Sequence, residues 1–151
     1  MKNLIPIILI FILTSLSYHA YSDEVQIESK DINIINDGNT VLAKEAQIII
    51  PKENMKILSD LANYEKISDI VTFTKNVFFN DKKNNVIIEG DFVKYERKKD
   101  LIYSDGKTNL NFENKYKVET NNVFYDRTSN IIYSQEETLI EDNKNNFYIL
   151  K

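Results

Sequence analysis

The side chains with the most chemical reach in this 151-residue chain are its carboxylates. Two of them held a few ångströms apart could hydrolyse a glycoside as acid and base. Their positions argue against it. Glu65, Asp81, Glu96, Asp100, Asp126, Glu141 and Asp142 fall among Lys, Asn and Ser in segments that read as turns, where a carboxylate ordinarily serves the backbone or the solvent. There is no cysteine and no tryptophan, and the single histidine, His19, lies near the N-terminus. The usual nucleophile–base pairs and zinc ligand sets are therefore missing. Gly38, Gly90 and Gly106 stand alone rather than in a phosphate-cradling loop. Nor do the turns carry the glycine–aspartate repeat of calcium-binding solenoids. These residues point to a protein that is not an enzyme and uses no cofactor and no metal.

What positions the turns is a repeated phrase. YEKISDIV begins at Tyr64, YERKKDLIY at Tyr95 and YDRTSNIIY at Tyr125, so the starts are 31 and 30 residues apart. A fixed period in that range points to stacked copies of one supersecondary unit. Arg97-Lys98-Lys99-Asp100 and Arg127-Thr128-Ser129-Asn130, flanked by β-formers, read as hairpin turns. Phe78-Phe79 through Asn80–Asn85 to Val86-Ile87-Ile88, and Leu139-Ile140 through Glu141–Asn146 to Phe147-Tyr148-Ile149, read the same way. So does Ile34 to Leu42, where Gly38 can supply a positive φ. Turn signals thus recur roughly every 15 residues, which predicts about nine strands. Lys52 to Lys66 could also carry a helical stripe of Met55, Leu58, Leu61 and Ala62. The repeat favours a strand there, preceded by a turn over Pro51 to Asn54.

Residues 1–22 read as a cleaved secretory signal: Lys2, an apolar run from Leu4 to Leu13, and Ala20-Tyr21-Ser22 before Asp23. The competing reading is a membrane anchor, but the run is well short of the roughly 20 residues a spanning helix needs. The remaining 129 residues, 23–151, are the size of one domain. They carry 18 bases against 23 acids, a net charge of −5, the wrong sign for a nucleic-acid partner. Without cysteine, an exported domain relies on packing and strand ladders. The abundant Asn, Lys and Ile are attributed to coding bias.

The strands carry apolar residues on both alternating positions in places, such as Ile87-Ile88, Phe92-Val93 and Ile131-Ile132-Tyr133. A strand with one dry face shows cleaner alternation. One reading is a sandwich core with scattered surface aromatics; the other is a folded sheet whose inner face lines an apolar groove.

Several phrases carry a resemblance: Leu42-Ala43-Lys44-Glu45-Ala46, Tyr64 to Val71, Asn76-Val77, Ile88 to Tyr95, and Tyr125 to Tyr133. With a signal-like leader and a period near 30, the chain from about Val25 to Lys151 resembles the OstA-like domain of lipopolysaccharide transport proteins. The family's Gly-Asn-Val phrase appears here as Lys75-Asn76-Val77 and as Gly106-Lys107-Thr108, each incomplete. The resemblance implies an all-β, OstA-like β-jellyroll, V-shaped or taco-like, of antiparallel strands around an open hydrophobic groove that holds acyl chains. It also implies a location in the periplasm, with a possible association with the outer membrane. In that family the domain serves as a periplasmic bridge, an inner-membrane-anchored partner, or the N-terminal domain of the outer-membrane translocon. The leader favours the first or third, and an ending at Lys151, inside an expected strand, fits a minimal bridge or a truncated translocon N-terminus.

Under this reading the groove-lining residues are Val71, Phe73, Val77, Phe79, Ile88, Val93, Tyr95, Ile102, Val118, Val123, Tyr125 and Ile132. The expected partners are lipopolysaccharide, through its lipid A acyl chains, and other OstA-like domains. The latter would pair with exposed edge strands near Val25 to Ile35 and Phe147 to Leu150. The rival classes are a structural β-solenoid such as an adhesin, with a filled interior, and a cell-envelope scaffold with a different cargo.

Overall fold

The computed structural model describes residues 25–150, so the expected signal segment lies outside the described residues. The chain is almost entirely strand: β1 (Gln26–Glu28), β2 (Asp31–Ile35), β3 (Thr40–Ile50), β4 (Met55–Glu65), β5 (Ile70–Asp81), β6 (Val86–Glu96), β7 (Leu101–Phe112), β8 (Tyr116–Asp126), β9 (Ile131–Tyr133), β10 (Thr138–Asp142) and β11 (Phe147–Leu150). All pairs are antiparallel, in one unclosed sheet ordered β1-β3-β4-β5-β6-β7-β8-β10-β11. The stretch that could have been helical is β4, entered from a 3₁₀ turn at Pro51–Glu53.

Among the described residues eleven strands form where about nine were expected, because the long strand at each end of the sheet is faced by two short ones. β1 pairs with the C-terminal half of β3 and β2 with its N-terminal half. At the other end, β10 and β9 divide β8 in the same way.

The division follows a crease. Each long strand slips register near its middle: between Leu58 and Leu61, Thr74 and Val77, Gly90 and Val93, and Asp105 and Thr108. Bulges bend a strand and increase its twist, so a row of them folds the whole sheet. Glu45 (φ 49°), Lys75 (φ 65°), Asn76 (φ 50°) and Gly106 (φ 78°) take left-handed backbone there. Gly90 is held by a close approach, since a Cβ would stand 3.2 Å from the Lys107 carbonyl oxygen.

The doubled apolar positions are inner and outer neighbours, Ile88 and Val93 buried with Ile87 and Phe92 half-buried on the other face, while the crease shifts which parity faces inward. In β6 the buried residues are Val86 and Ile88 before it but Val93 and Tyr95 after it. β3, β4 and β8 switch parity likewise. In these strands the two halves are out of phase, whereas β5 (Val71, Phe73, Val77, Phe79) and β7 (Ile102, Ser104, Thr108, Leu110) keep one parity throughout.

Turns close on left-handed Asn or Asp, including Asn54, Asp69, Asn85, Asp100, Asn130 and Asn145. These residues tolerate that conformation through local hydrogen bonds, which gives the asparagine content a structural role. Successive turns are stitched by backbone bonds: Lys66 N–H to Asn39 (2.8 Å), Arg97 to Asp69 (3.1 Å) and Arg127 to Asp100 (3.0 Å) along one rim. Lys82 to Asn54 (3.2 Å) and Glu113 to Asn85 (2.9 Å) run along the other.

Candidate functional site

All twelve residues singled out from the sequence lie on one face of the sheet and fall into cross-strand rows. Val71, Tyr95, Ile102, Tyr125 and Ile132 form one row, which begins at Tyr64. Phe73, Val93 and Val123 lie along a second, passing through Ser104. Phe79, Ile88 and Val118 lie along a third, passing through Leu110. Val77 sits at the crease opposite Gly90. Ten of the twelve are buried core residues, and Val118 and Ile132 are partly buried against them.

Three of the twelve, Val118, Val123 and Ile132, also line a cavity of about 780 Å³ at the C-terminal end of the sheet. Its wall is completed by Leu110 and Phe112 of β7, Tyr116 and Thr120 of β8, Thr138 and Ile140 of β10, and Tyr148 and Leu150 of β11. Sequence reasoning missed these residues, those of β10 and β11 because the strands fall outside the clear repeat and their facing could not be read without the crease. Glu136 is the one charged residue of the lining. The cavity can therefore take hydrocarbon but offers no base to an anionic headgroup.

The repeated tyrosines combine an apolar body with a polar tip. Their rings pack in the core, and their hydroxyls donate to turn residues: Tyr64 to Asp69 (3.0 Å) and Tyr95 to Asp100 (2.8 Å). The arginine of the second and third copies reaches back to the acid of the copy before, Arg97 to Asp69 at 2.9 Å and Arg127 to Asp100. Tyr-x-Arg followed by Asp is thus an interlocking device, and its arginine is more than a turn residue.

Because the sheet is folded, this rim meets the opposite one. Arg127 donates through Nε to Asp81 (2.7 Å) and through Nη1 to Glu53 (3.0 Å). The single Tyr95 hydroxyl proton is shared between Asp100 and Glu53, whose oxygen lies 2.5 Å away, and Tyr125 donates to Asp81 (3.0 Å). Asp81 also accepts from the backbone of Lys83 and Asn84, which fixes its own turn. Burial pushes the Asp81 carboxyl up, but the Arg127 guanidinium outweighs it, with help from Asn84 and Tyr125, and holds it below the ordinary value. Burial, then hydrogen bonds to Glu53 and Asp100, raise the Tyr95 phenol; burial and the Asp81 charge raise that of Tyr125. Among the described residues no group of three or more His, Asp or Glu is placed to hold a metal ion.

On the opposite face a stripe of aromatic rings crosses β6 to β9, with centroids of Phe92–Tyr103, Tyr103–Phe124 and Phe124–Tyr133 at 6.3, 4.8 and 5.0 Å. Cross-strand aromatic pairs of this kind pin register. The sheet edges are apolar and exposed: Ile34 is 60% exposed on β2, and Phe147 and Ile149 are 64% and 63% exposed on β11.

No protein-family model matches the sequence, and no curated protein matches it. Among solved structures, the fold is similar to the crystal structure of LptH from Pseudomonas aeruginosa, described as the LptA-homologous periplasmic component of the conserved lipopolysaccharide transport device. The TM-score is 0.66 at 10% sequence identity, and the match covers 85% of this chain and 95% of that one. At that identity the likeness establishes the fold, an LptA-like open jellyroll.

Proposed function

We propose that this chain is a non-catalytic, exported module of lipopolysaccharide transport, which shelters acyl chains in its apolar interior and bridges to like domains through its sheet edges. The observation that carries the reading is the largely apolar cavity, with Glu136 its one charged residue, continuous with the core of a creased, unclosed jellyroll of the LptH type. The twelve residues chosen from the sequence supply the inner face, with Val118, Val123 and Ile132 in contact with the cavity. Residues 1–22 act as the cleaved export signal, and the working location is the periplasm.

The physical need is large. Each CH₂ exposed to water costs about 0.8 kcal/mol, so a chain of a dozen carbons costs on the order of 10 kcal/mol. A shaped apolar surface offsets this without covalent chemistry. The edges supply continuity: β2 and β11 present unpaired backbone and exposed apolar side chains, which suits strand addition by a neighbouring domain. A solid-core envelope scaffold draws support from the nine candidate residues that are fully packed away from the cavity.

Binding of radiolabelled lipopolysaccharide to the purified mature chain separates the two. The carrier reading expects retention, and loss of retention in Val118→Asp and Ile140→Asp variants that remain folded. No retention by the unaltered chain would leave the scaffold.

A further inference from the structure

The interior has a filled part and an open part, and both change character at β8. From β3 to β7 the core side chains are packed to exposures of a few per cent or less. The mouth between the two turn rims is tied there by Arg127, itself 8% exposed, to Asp81 and Glu53. Beyond β8 the interlock lapses: Asn130 stands where Asp69 and Asp100 stood, and accepts only a long 3.5 Å bond from Tyr125. The cavity begins at the adjoining pair of strands, at Leu110 and Phe112 near the end of β7 and Val118 and Val123 of β8.

We propose that the Arg127 clasp divides the interior into a sealed core and a blind chamber, so that an acyl chain is admitted between β8 and β11 and no further unless the clasp parts. The occupant's identity rests on the lipid-carrier reading; the division does not. A hydrocarbon chain is the fitting occupant because the walls are Leu110, Phe112, Val118, Ile132, Ile140 and Leu150, without a base to meet a phosphate. The volume of about 780 Å³ lies within the range of small-molecule sites, roughly 300–1,000 Å³. Movement of lipid along the whole length of the module then requires the rims to separate at Arg127.

The test places photoreactive p-benzoylphenylalanine at Val118 or Ile132 in the chamber and at Phe73 or Phe79 behind the clasp. Tritiated lauric acid is the acyl probe and purified lipopolysaccharide the second. Laurate should be captured at the chamber positions and not at Phe73 or Phe79. In Arg127→Met, with unchanged circular dichroism, capture at Phe73 and Phe79 should rise several-fold. Glu53→Gln, which retains the Arg127–Asp81 pair, should give a smaller rise and serves if the first variant does not fold. Equal capture on both sides of the intact clasp, no rise in either folded variant, or laurate captured nowhere would overturn the proposal. If laurate follows the expected pattern while lipopolysaccharide is captured nowhere, the division stands and the lipopolysaccharide reading fails.

Discussion

Arg127, in the turn that follows β8, donates its Nε to Asp81 Oδ2 at 2.7 Å, although Asp81 ends β5 on the opposite rim of the sheet. Forty-six residues separate them in sequence. In a flat sheet two turns on opposite rims are separated by a full strand length, tens of ångströms for an 11-residue strand at about 3.3 Å per residue. The contact exists because every long strand bends at its bulge, and it holds the folded form closed.

Cutting that contact leaves a buried charge without its partner, which costs about 3–5 kcal/mol. Arg127→Met, which strands the fully buried Asp81, should lower stability by that order in urea denaturation, and Asp81→Asn by less, because Arg127 keeps Glu53 and Asp100. The double variant should be less destabilised than the sum of the singles, by about 0.5–3 kcal/mol. Strict additivity would mean that the pair does not act as a unit.

Acid and alkali should both weaken the fold, through different groups. The Asp81 carboxyl is depressed in the folded chain, so its contribution is present above the unfolded value of 3.8 and is lost as pH falls below it. Tyr95 and Tyr125 are raised, so theirs is present below 10.0 and is lost as pH rises beyond it. Chemical denaturation against pH should show both flanks, and Asp81→Asn should flatten the acid one. An unchanged acid slope in that variant would remove Asp81 from the account.

Lys75 stands at φ 65° in the crease of β5, where glycine is at ease and lysine is strained. Lys75→Gly should stabilise by about 0.5–1 kcal/mol, the gain in strain less the entropy of the freer unfolded chain. Gly106→Ala, at φ 78°, should destabilise by about 1–2 kcal/mol although no atom stands within 4 Å of the added methyl. Thermal melts of the two variants moving in the same direction would contradict the backbone explanation.

Asp142 fixes the turn into β11 by accepting from the backbone of Lys144 and Asn146, the Asn146 amide and the Tyr148 hydroxyl. Its carboxyl is lowered to about 2, first by the Asn146 side chain and backbone. Asp142→Ala should free Phe147–Leu150 to exchange amide hydrogens while the rest of the sheet stays protected. If β11 is the strand that a neighbouring domain pairs with, the variant, like deletion of residues 147–151, should also lose self-association in sedimentation. Full association with a frayed β11 would place the junction elsewhere.

Much of this was legible in the sequence because the repeat is local. The turns at Arg97–Asp100 and Arg127–Asn130, the strand at Met55 and the positive φ of Gly38 follow from residue types a few positions apart. The inner face was legible for the same reason, since Tyr95 and Tyr125 mark equivalent rows. The bulges were not, because a bulge is a mismatch between two strands and leaves no mark on either alone; Ile87-Ile88 and Phe92-Val93 looked two-faced because Ile87 and Phe92 are half-buried on the outer face. The tie from Arg127 to Asp81 and Glu53 depends on the fold closing, which neighbours in sequence do not report. The cavity wall on β10 and β11 lies beyond the last clear copy, where the period could no longer assign a face.

The measurement closest to the central claim is photo-crosslinking of purified lipopolysaccharide to the mature chain, with the photoreactive residue at Val118, at Ile132, or at exposed Lys98. Capture at the two cavity positions and none at Lys98 is the result expected of a lipid carrier. Equal capture at all three, or none at Val118 and Ile132 in a folded chain, would contradict it.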